Sequence, residues 1–294
     1  MNQKKKSHAQ MLRRVAALLL FLLLFIPYVV EQNERVVFTP VDVYSENLPA
    51  AFEGFRVLHV SDLHDKNFGA RFEAVAGRCA AFRPDAVCVT GDLIDTKDME
   101  HALGFVRRLS RIAPVYYVPG NHERQVGAQV YARLKAELSA LGVRVLEDEA
   151  AVIARGGEEI AVVGVRDPAF DEGGGIWGET DAYEARLAPL RGDAPFALLL
   201  AHRPEHFAAY AAARYDLTLS GHEHGGLVRF PLVGPLVGLN QGLLPRYTAG
   251  LHYADNGMAL NVSRGIGNNP RWSRRLNNPP EIVLVTLHRG KTDR

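Results

Sequence analysis

The distribution of apolar and polar positions divides residues 55–220 into short apolar runs and longer amphipathic segments. Helical spacing of the apolar positions predicts helices over 72–82, 99–112 and 130–141, the last followed by Gly142 as a C-terminal cap. Runs rich in β-branched and aromatic residues predict buried strands. These runs are RVLHVS (56–61), DAVCVT (85–90), PVYYVP (114–119), FALLLA (196–201) and DLTLS (216–220).

The order of these segments predicts how the strands pair. Strand, helix, strand, helix implies parallel pairing and an α/β architecture. Further short runs predict strands with no helix between several of them, which favours a second, partly antiparallel sheet; they lie at 143–147, 150–154, 159–165, 258–263 and 281–287. We therefore expect two packed mixed β-sheets flanked by helices, in one domain over residues 35–294.

The N-terminal segment has a different pattern. Five Lys and Arg residues and no acid lie within 1–14, and an uncharged apolar run of 16 residues follows at 15–30. At about 1.5 Å per residue this run reaches about 24 Å, somewhat short of a bilayer core of about 30 Å, although Tyr28 and the flanking residues extend it. No A-x-A-like cleavage site follows, which favours a retained anchor over the alternative of a cleaved signal peptide.

The basic end of this segment also predicts its orientation. Because cytoplasmic flanks of membrane helices are rich in Lys and Arg, the positive end is expected to stay in the cytoplasm. We therefore expect a single-pass protein of the bacterial inner membrane. Its anchor is residues 1–34, and its main domain lies outside the cytoplasm.

Composition and charge limit the class of protein. The chain of 294 residues is 47% hydrophobic and 23% charged, which is the balance of a folded protein with a substantial core. Residues 1–14 carry a charge of +5, and the remaining chain carries −4. A body of negative charge is not expected to bind nucleic acid through its net field.

Polar side chains able to bind a metal follow each of the five main predicted strands. Taken singly, Asp and Asn cap helices and form turns, and a lone His is more often structural. Together they are expected to meet, because ligand sites in such sheets lie beyond the carboxyl ends of the strands. They are Asp62, His64, Asp92, Asp95, Asn121, His122, His202, His222 and His224.

The chemistry of these side chains points to a pair of metal ions. Oxygen and imidazole ligands without thiolate suit Mn, Fe or Zn. Six or seven ligands are too many for one catalytic ion with an open position, but they are enough for two. A carboxylate can bridge two ions about 3.5–4 Å apart, and such a pair acidifies bound water and supplies hydroxide for attack at phosphorus.

The motifs DLH (62–64), GDLID (91–95), GNHE (120–123), the single His202 after a strand, and GHEHGG (221–226) resemble the five blocks of the calcineurin-like metallophosphoesterases. The resemblance spans about residues 55 to 287. The N-terminal anchor and the NPPE stretch (278–281) resemble a membrane-associated bacterial branch of that family. Some members of this branch hydrolyse lipid A precursors such as UDP-2,3-diacylglucosamine.

The resemblance implies a role for each motif residue. One metal would be bound by Asp62, His64 and His224, and the other by Asn121, His202 and His222, with Asp92 as the bridge. His122 resembles the histidine that protonates the leaving oxygen, and Asp95 would orient it. Glu123 stands where many relatives have Asp, and it is not expected to touch a metal.

Two later stretches leave alternatives open. Arg271 and Arg275 belong to a basic cluster that is either a clamp for a substrate phosphate or an exposed loop. The stretch 227–245 contains one charged residue, Arg229, before its final proline. It is either a buried loop or a segment that rests on a bilayer and admits acyl chains.

These expectations lead to one function with alternatives. We expect a hydrolase that uses two divalent metal ions to cleave a phosphodiester or pyrophosphate bond, in an envelope lipid or a nucleotide-linked lipid precursor. A phosphomonoesterase or protein phosphatase on the same fold is the enzymatic alternative. A non-catalytic binding protein would require a broken ligand set, and no ligand position is missing here.

Overall fold

The computed structural model describes residues 2–171, 180–238, 241–268 and 274–291. The helices are α1 (Asn2–Glu34), α2 (Phe72–Ala81), α3 (Glu100–Leu109), α4 (Asn121–Gln125), α5 (Ala128–Ala140), α6 (Thr180–Arg191) and α7 (Phe207–Ala212). The strands before residue 200 are β1 (Val37–Ser45), β2 (Phe55–Val60), β3 (Ala86–Thr90), β4 (Val115–Val118), β5 (Arg144–Val145), β6 (Glu149–Arg155), β7 (Glu158–Gly164) and β8 (Ala197–Leu200). The later strands are β9 (Leu217–Ser220), β10 (Arg229–Phe230), β11 (Gly234–Pro235), β12 (Val237–Gly238), β13 (Gly242–Leu243), β14 (Gly250–Tyr253), β15 (Ala259–Val262) and β16 (Glu281–Arg289).

Two six-stranded mixed sheets form the main domain. The first has the order β1-β16-β2-β3-β4-β5, and β2 to β5 are parallel. The second has the order β14-β15-β9-β8-β7-β6, with parallel pairing from β15 to β7 and antiparallel strands at both edges. This confirms the predicted α/β fold with two mixed sheets flanked by helices.

The sheets pack face to face, and alternation along each strand fills three apolar layers. On β2, Val57 points into the core shared by the two sheets, whereas Leu58 and Val60 point to the opposite face. Helices α2, α3 and α5 cover that outer face of the first sheet, and α6 and α7 cover the outer face of the second. Because both faces of each central strand are buried, the strands appear in the sequence as continuous apolar runs.

Several elements were not predicted. Strand β1 has the sequence VFTPVDVYS at the edge of the first sheet, where most of its residues are only half-buried, so it lacks a continuous apolar run. Helix α6 contains Pro189, which interrupts the helical pattern. The small hairpins β10–β11 and β12–β13 have strands of two residues, too short to give a periodic pattern.

The N-terminal helix α1 is long and apolar enough to span a membrane over Gln10–Glu34. Most of its apolar side chains are exposed, but Gln32 and Asn33 in its last turn are buried against the main domain. Asn33 donates from Nδ2 to the carbonyl oxygen of Arg275 and accepts from the backbone N–H of Arg275 at 2.9 Å. The end of the helix is therefore fixed to the domain by paired hydrogen bonds.

Candidate metal centre

The carboxyl ends of β2, β3 and β4 from the first sheet and of β8 and β9 from the second meet at one edge of the sandwich. Eight of the predicted site residues lie there in three groups, each with ligand atoms within 4.8 Å of one another. The groups are Asp62, His64 and His224; Asp92, His202 and His222; and His64, Asp95 and His122. Most of these side chains are buried, so the cluster lies inside the protein and not on its surface.

The first group joins the two sheets. Nε2 of His64 lies 3.0 Å from Nε2 of His224, and Oδ1 of Asp62 lies 3.5 Å from the same His224 nitrogen. Two imidazole nitrogens at this separation cannot both carry a proton toward each other. The two imidazole nitrogens and the carboxylate oxygen lie close enough together to bind one cation.

The second group is organised around Asp92. Nε2 of His202 lies 3.2 Å from Oδ2 of Asp92 and 3.1 Å from Nδ1 of His222. Nδ1 of His202 donates to the carbonyl oxygen of Thr90 at 2.7 Å, so Nε2 is the ring nitrogen that faces Asp92 and His222. The same Asp92 Oδ2 lies 3.8 Å from Nε2 of His64, so Asp92 stands between the two groups.

Asn121 provides a test of whether this arrangement suits a metal. Its Oδ1 atom is buried and accepts no hydrogen bond from the residues that the structure describes. A buried amide oxygen without a partner is costly, and a cation would satisfy it. Asn121 lies between Gly120 and His122, and the backbone N–H of His122 donates to Oδ1 of Asp92 at 2.9 Å. The residues present therefore fit a metal.

The third group is a hydrogen-bonded relay. Oδ1 of Asp95 lies 2.7 Å from Nδ1 of His64 and 2.6 Å from Nδ1 of His122. Burial opposes ionisation of Asp95, but the hydrogen bonds from His122 and His64 outweigh it and lower its pKa to about 2. Both histidines therefore donate from Nδ1, which leaves Nε2 of each to act toward the metal groups.

His122 and His224 differ in their electrostatic surroundings. Burial disfavours the charged form of His122, but the charge of Asp92 and the hydrogen bond to Asp95 raise its pKa to about 9. Burial and the nearby positive charges of His64 and Arg275 hold the pKa of His224 well below its ordinary value. The side chain of His122 is 18% exposed, whereas that of His64 is 0% exposed. His122 is thus a protonated group that solvent can reach, and His224 is a neutral one.

The backbone at this edge is strained. Five of the seven predicted ligands are non-glycine residues with positive φ, a conformation that is uncommon outside glycine and clusters at functional sites. They are Asp62 (φ 53°), His64 (φ 49°), Asp92 (φ 52°), His222 (φ 69°) and His224 (φ 48°). These kinks turn side chains of successive extended residues toward one point, so both histidines of GHEH can reach the centre.

Gly221 shows how closely the two sheets approach. A Cβ atom at this position would lie 1.9 Å from Oγ of Ser61 and 2.2 Å from Oδ2 of Asp62. The next residue, His222, donates its backbone N–H to both carboxylate oxygens of Asp62, at 3.0 and 3.1 Å. Any side chain at residue 221 would push Asp62 away from this contact.

Glu123 has a larger role than the sequence indicated. Its carboxylate is fully buried and accepts backbone N–H bonds from Asp92 at 2.9 Å, Leu93 at 2.7 Å, Ile94 at 3.2 Å and Gly120 at 2.7 Å. It therefore fixes the two loops that carry Asp92 and Asn121. The only sequence signal was an acidic residue directly after GNH.

Of the two predicted phosphate-binding arginines, the structure describes only Arg275. Arg271 lies outside the described residues. Arg275 is fully buried and donates to Oδ1 of Asn268 at 2.7 Å and to the carbonyl oxygen of Gly267 at 2.7 Å, and its Nη2 lies 3.2 Å from Nδ1 of His224. The side chain packs behind His224, and its Nη1 atom has no hydrogen-bond partner among the described residues. A contact between Arg275 and a substrate phosphate stays a prediction.

The structure also tests the two interpretations of the apolar stretch 227–245, as a buried loop or as a segment that rests on a bilayer. Of its described side chains, Leu232, Val233, Val237, Leu243 and Leu244 are exposed. The interpretation of residues 227–245 as a buried loop is therefore wrong.

Comparison with known proteins identifies the family. A model of the calcineurin-like phosphoesterases matches residues 55–226, which is more than half of the chain and includes every predicted ligand. The chain belongs to the calcineurin-like phosphoesterase family. As a member, it is a hydrolase of a family that uses divalent metal ions, and the clusters at the sheet edge supply metal-binding residues.

Relatives of this phosphoesterase extend the similarity beyond that region. The uncharacterized metallophosphoesterase YkoQ of Bacillus subtilis is 26% identical over 273 residues, covering 90% of this chain and 96% of YkoQ. The phosphodiesterase YaeI of Escherichia coli is 30% identical over 240 residues, covering 79% of this chain and 82% of YaeI. Among solved structures, TT1561 of Thermus thermophilus matches with a TM-score of 0.49 and 18% identity, over 74% of this chain and 90% of that chain.

Proposed function

We propose that this phosphoesterase binds two divalent cations and hydrolyses a phosphodiester or pyrophosphate bond. The observation that carries the proposal is the position of Asp92, whose Oδ2 lies 3.2 Å from Nε2 of His202 and 3.8 Å from Nε2 of His64. One carboxylate oxygen is thus within reach of both ligand groups, as a bridge between two cations requires. Mn, Fe or Zn suits this set of oxygen and imidazole ligands.

The proposed ligands fall into two sets that share Asp92. One cation would be held by Asp62, His64 and His224, and the other by Asn121, His202 and His222. When bound, such cations supply Lewis acidity and lower the pKa of water, so that a nucleophile for phosphorus exists at neutral pH. Buried, neutral His222 and His224 suit this role because burial holds the pKa of both well below the ordinary value.

His122 is the proposed proton donor to the leaving oxygen. Asp95 holds Nδ1 of His122, so the proton available for transfer is on Nε2, which lies 3.8 Å from Oδ2 of Asp92. The raised pKa of His122 keeps that proton in place at neutral pH. An alkoxide or phosphate leaving group near Asp92 would therefore be neutralised as the bond to phosphorus breaks.

The phosphodiester preference rests on one relative. YaeI, which is 30% identical, is named a phosphodiesterase. A lipid-linked phosphoester is the proposed substrate, because the last turn of α1 is fixed to the segment that packs behind His224.

Paired rates on two aryl esters test the reaction class. Full-length protein in nanodiscs, loaded with Mn²⁺, is assayed with bis(4-nitrophenyl) phosphate and with 4-nitrophenyl phosphate. We expect a higher kcat/KM for the diester. His288→Ala serves as the control, because His288 lies at the end of β16 and contacts Glu53 and Asp42 instead of the centre. A higher kcat/KM for the monoester would assign the protein to the phosphomonoesterases.

The cellular substrate needs a separate measurement. Lipid and nucleotide extracts of cells that lack the protein are compared with extracts of cells that express the Asp92→Asn variant and with wild type. We expect one lipid-linked phosphodiester or pyrophosphate to accumulate in both mutant strains. Accumulation of a water-soluble phosphoester alone would contradict the lipid-linked substrate and leave the reaction class intact.

A further inference from the structure

Exposed apolar side chains are concentrated in one small region of the main domain. Outside α1, ten large hydrophobic side chains are exposed among the described residues, and eight of them lie within residues 228–244. The other two are Tyr44 and Val152. The eight are Val228, Phe230, Leu232, Val233, Leu236, Val237, Leu243 and Leu244, and they surround the hairpins β10–β11 and β12–β13, which we call the apolar hairpin pair.

The backbone of the apolar hairpin pair is unusual for its sequence. Leu232, in the turn between β10 and β11, has φ 66° and a fully exposed side chain, and Leu244 has φ 52° and is 69% exposed. Glycine or asparagine fits such turn positions far better than leucine. Neither leucine gains core packing in return. Leucine at these positions therefore indicates an apolar contact outside the described protein.

The apolar hairpin pair is joined to the membrane helix through one short segment. Arg229 donates its backbone N–H to the carbonyl oxygen of Leu276 at 3.0 Å, and Asn277 donates from Nδ2 to the carbonyl oxygen of Arg229 at 3.0 Å. Tyr28 of α1 donates its hydroxyl to Oδ1 of the same Asn277. The hairpins and α1 are thus linked by direct hydrogen bonds through residues 276–277.

This link joins the hairpins to the apolar segment of α1. Tyr28 precedes Asn33 by five residues, which is about 7.5 Å along the helix axis at 1.5 Å per residue. It lies inside the segment Gln10–Glu34 that is apolar enough to span a bilayer. Tyrosine is typical of the interface between lipid and water. The base of the hairpins is therefore joined to α1 at a tyrosine within the apolar segment, on the side of the domain from which the helix emerges.

The charges around the apolar hairpin pair match a lipid surface. Residues 227–253 contain Arg229 and Arg246 and no Asp or Glu, and the exposed Arg274 lies two residues before the linking segment 276–277. Apolar side chains flanked by bases without acids are the composition of segments that insert into anionic bilayers. An interface with another protein would not require an excess of basic over acidic residues.

We propose that the apolar hairpin pair inserts into the lipid bilayer beside α1 and forms a second membrane contact of this protein. The helix and the hairpins then hold the domain at two points and fix its orientation. His224, a ligand in the proposed metal centre, is only four residues before Val228, so that centre and the proposed bilayer contact are neighbours in the chain. The bearing of this on the substrate rests on the proposed function, whereas the bilayer contact does not.

Site-directed spin labelling of the full-length protein tests the bilayer contact. Val233→Cys and Leu243→Cys lie in the hairpins, and Val152→Cys is a matched control, since Val152 is 55% and Val233 is 60% exposed. The native Cys79 and Cys88 are fully buried, and burial raises the pKa of both thiols, so the label reacts with the introduced cysteine. Each variant is placed in nanodiscs of phosphatidylethanolamine and phosphatidylglycerol, with one protein chain per disc.

Power saturation of the spin label's spectrum, in the presence of oxygen or of a water-soluble nickel chelate, measures how accessible each label is to the two reagents. We expect the ratio of oxygen to nickel accessibility to be several-fold higher at residues 233 and 243 than at 152. Equal ratios at all three positions would overturn the proposal, since the hairpins would then face water. Protection from both reagents would also overturn it, because the occupant would be protein. These outcomes are independent of phosphoesterase activity.

Discussion

Oδ1 of Asp95 lies 2.6 Å from Nδ1 of His122, and the same oxygen lies 2.7 Å from Nδ1 of His64. One carboxylate atom therefore orients a predicted metal ligand and the predicted proton donor together. Its position couples the two halves of the proposed chemistry, because movement of Asp95 would displace both imidazoles.

Substitution of His122 should separate proton transfer from metal binding. We predict that His122→Ala lowers kcat for a diester with a poor leaving group by a factor of about 10² to 10⁴, the usual contribution of a general acid. Metal content, measured by mass spectrometry of the purified protein, should stay at the wild-type level. The loss should shrink for 4-nitrophenyl esters, whose leaving group needs little protonation. Unchanged kcat with the poor leaving group would remove His122 from the mechanism.

Substitution of Asp95 should affect both histidines. We predict that Asp95→Asn lowers kcat and also weakens metal affinity by roughly 10- to 100-fold, the usual effect of removing a partner of a ligating histidine. The discriminating measurement is metal titration of Asp95→Asn in the His122→Ala background. Affinity should still fall there, because His64 loses its partner. If adding Asp95→Asn to His122→Ala leaves metal affinity unchanged, Asp95 acts through His122 alone.

Glu123 should be essential for stability and for metal binding, although it takes no part in the reaction itself. Removing its carboxylate leaves several buried backbone N–H groups unpaired, so we expect Glu123→Ala to destabilise the protein by about 3 kcal/mol. Thermal unfolding measures this loss, and Glu149→Ala on the exposed face of β6 is the control. Glu123→Asp should recover part of the lost stability. Equal stability of Glu123→Ala and the control would show that the four hydrogen bonds contribute little.

The ion pair between Glu281 and Arg264 should give a pH-dependent contribution to stability. Burial opposes ionisation of Glu281, but hydrogen bonds from Arg264 and Thr39 hold its pKa below the ordinary value. A lowered pKa in the folded state means that the contribution is present above the ordinary pKa of 4.5 and is lost as the pH falls through the folded value.

Melting curves of wild type and Glu281→Gln from neutral pH down to pH 3 check that contribution. We expect the variant to melt at a lower temperature at neutral pH, with the difference in Tm closing as the pH falls. A difference that stays constant over this range would show that the stabilisation does not depend on the charge of Glu281.

Much of the sandwich and of the metal centre could be predicted from the sequence, because buried parallel strands appear as apolar runs and the polar residues directly after them share an edge. The role of Glu123 could not be predicted, since its partners are backbone groups that leave no mark in the sequence. The backbone of Arg275 is bound by Asn33, more than two hundred residues away, and no local pattern reports such a contact.

The number and coupling of bound metal ions test the central claim most directly. Full-length protein and the Asp92→Asn variant are titrated with Mn²⁺ and examined by electron paramagnetic resonance, with metal content determined on the same samples. We predict two ions per wild-type chain with an exchange-coupled spectrum, as expected for ions about 3.5–4 Å apart, and loss of the coupling in Asp92→Asn. A single uncoupled ion in fully loaded wild-type protein would contradict the account.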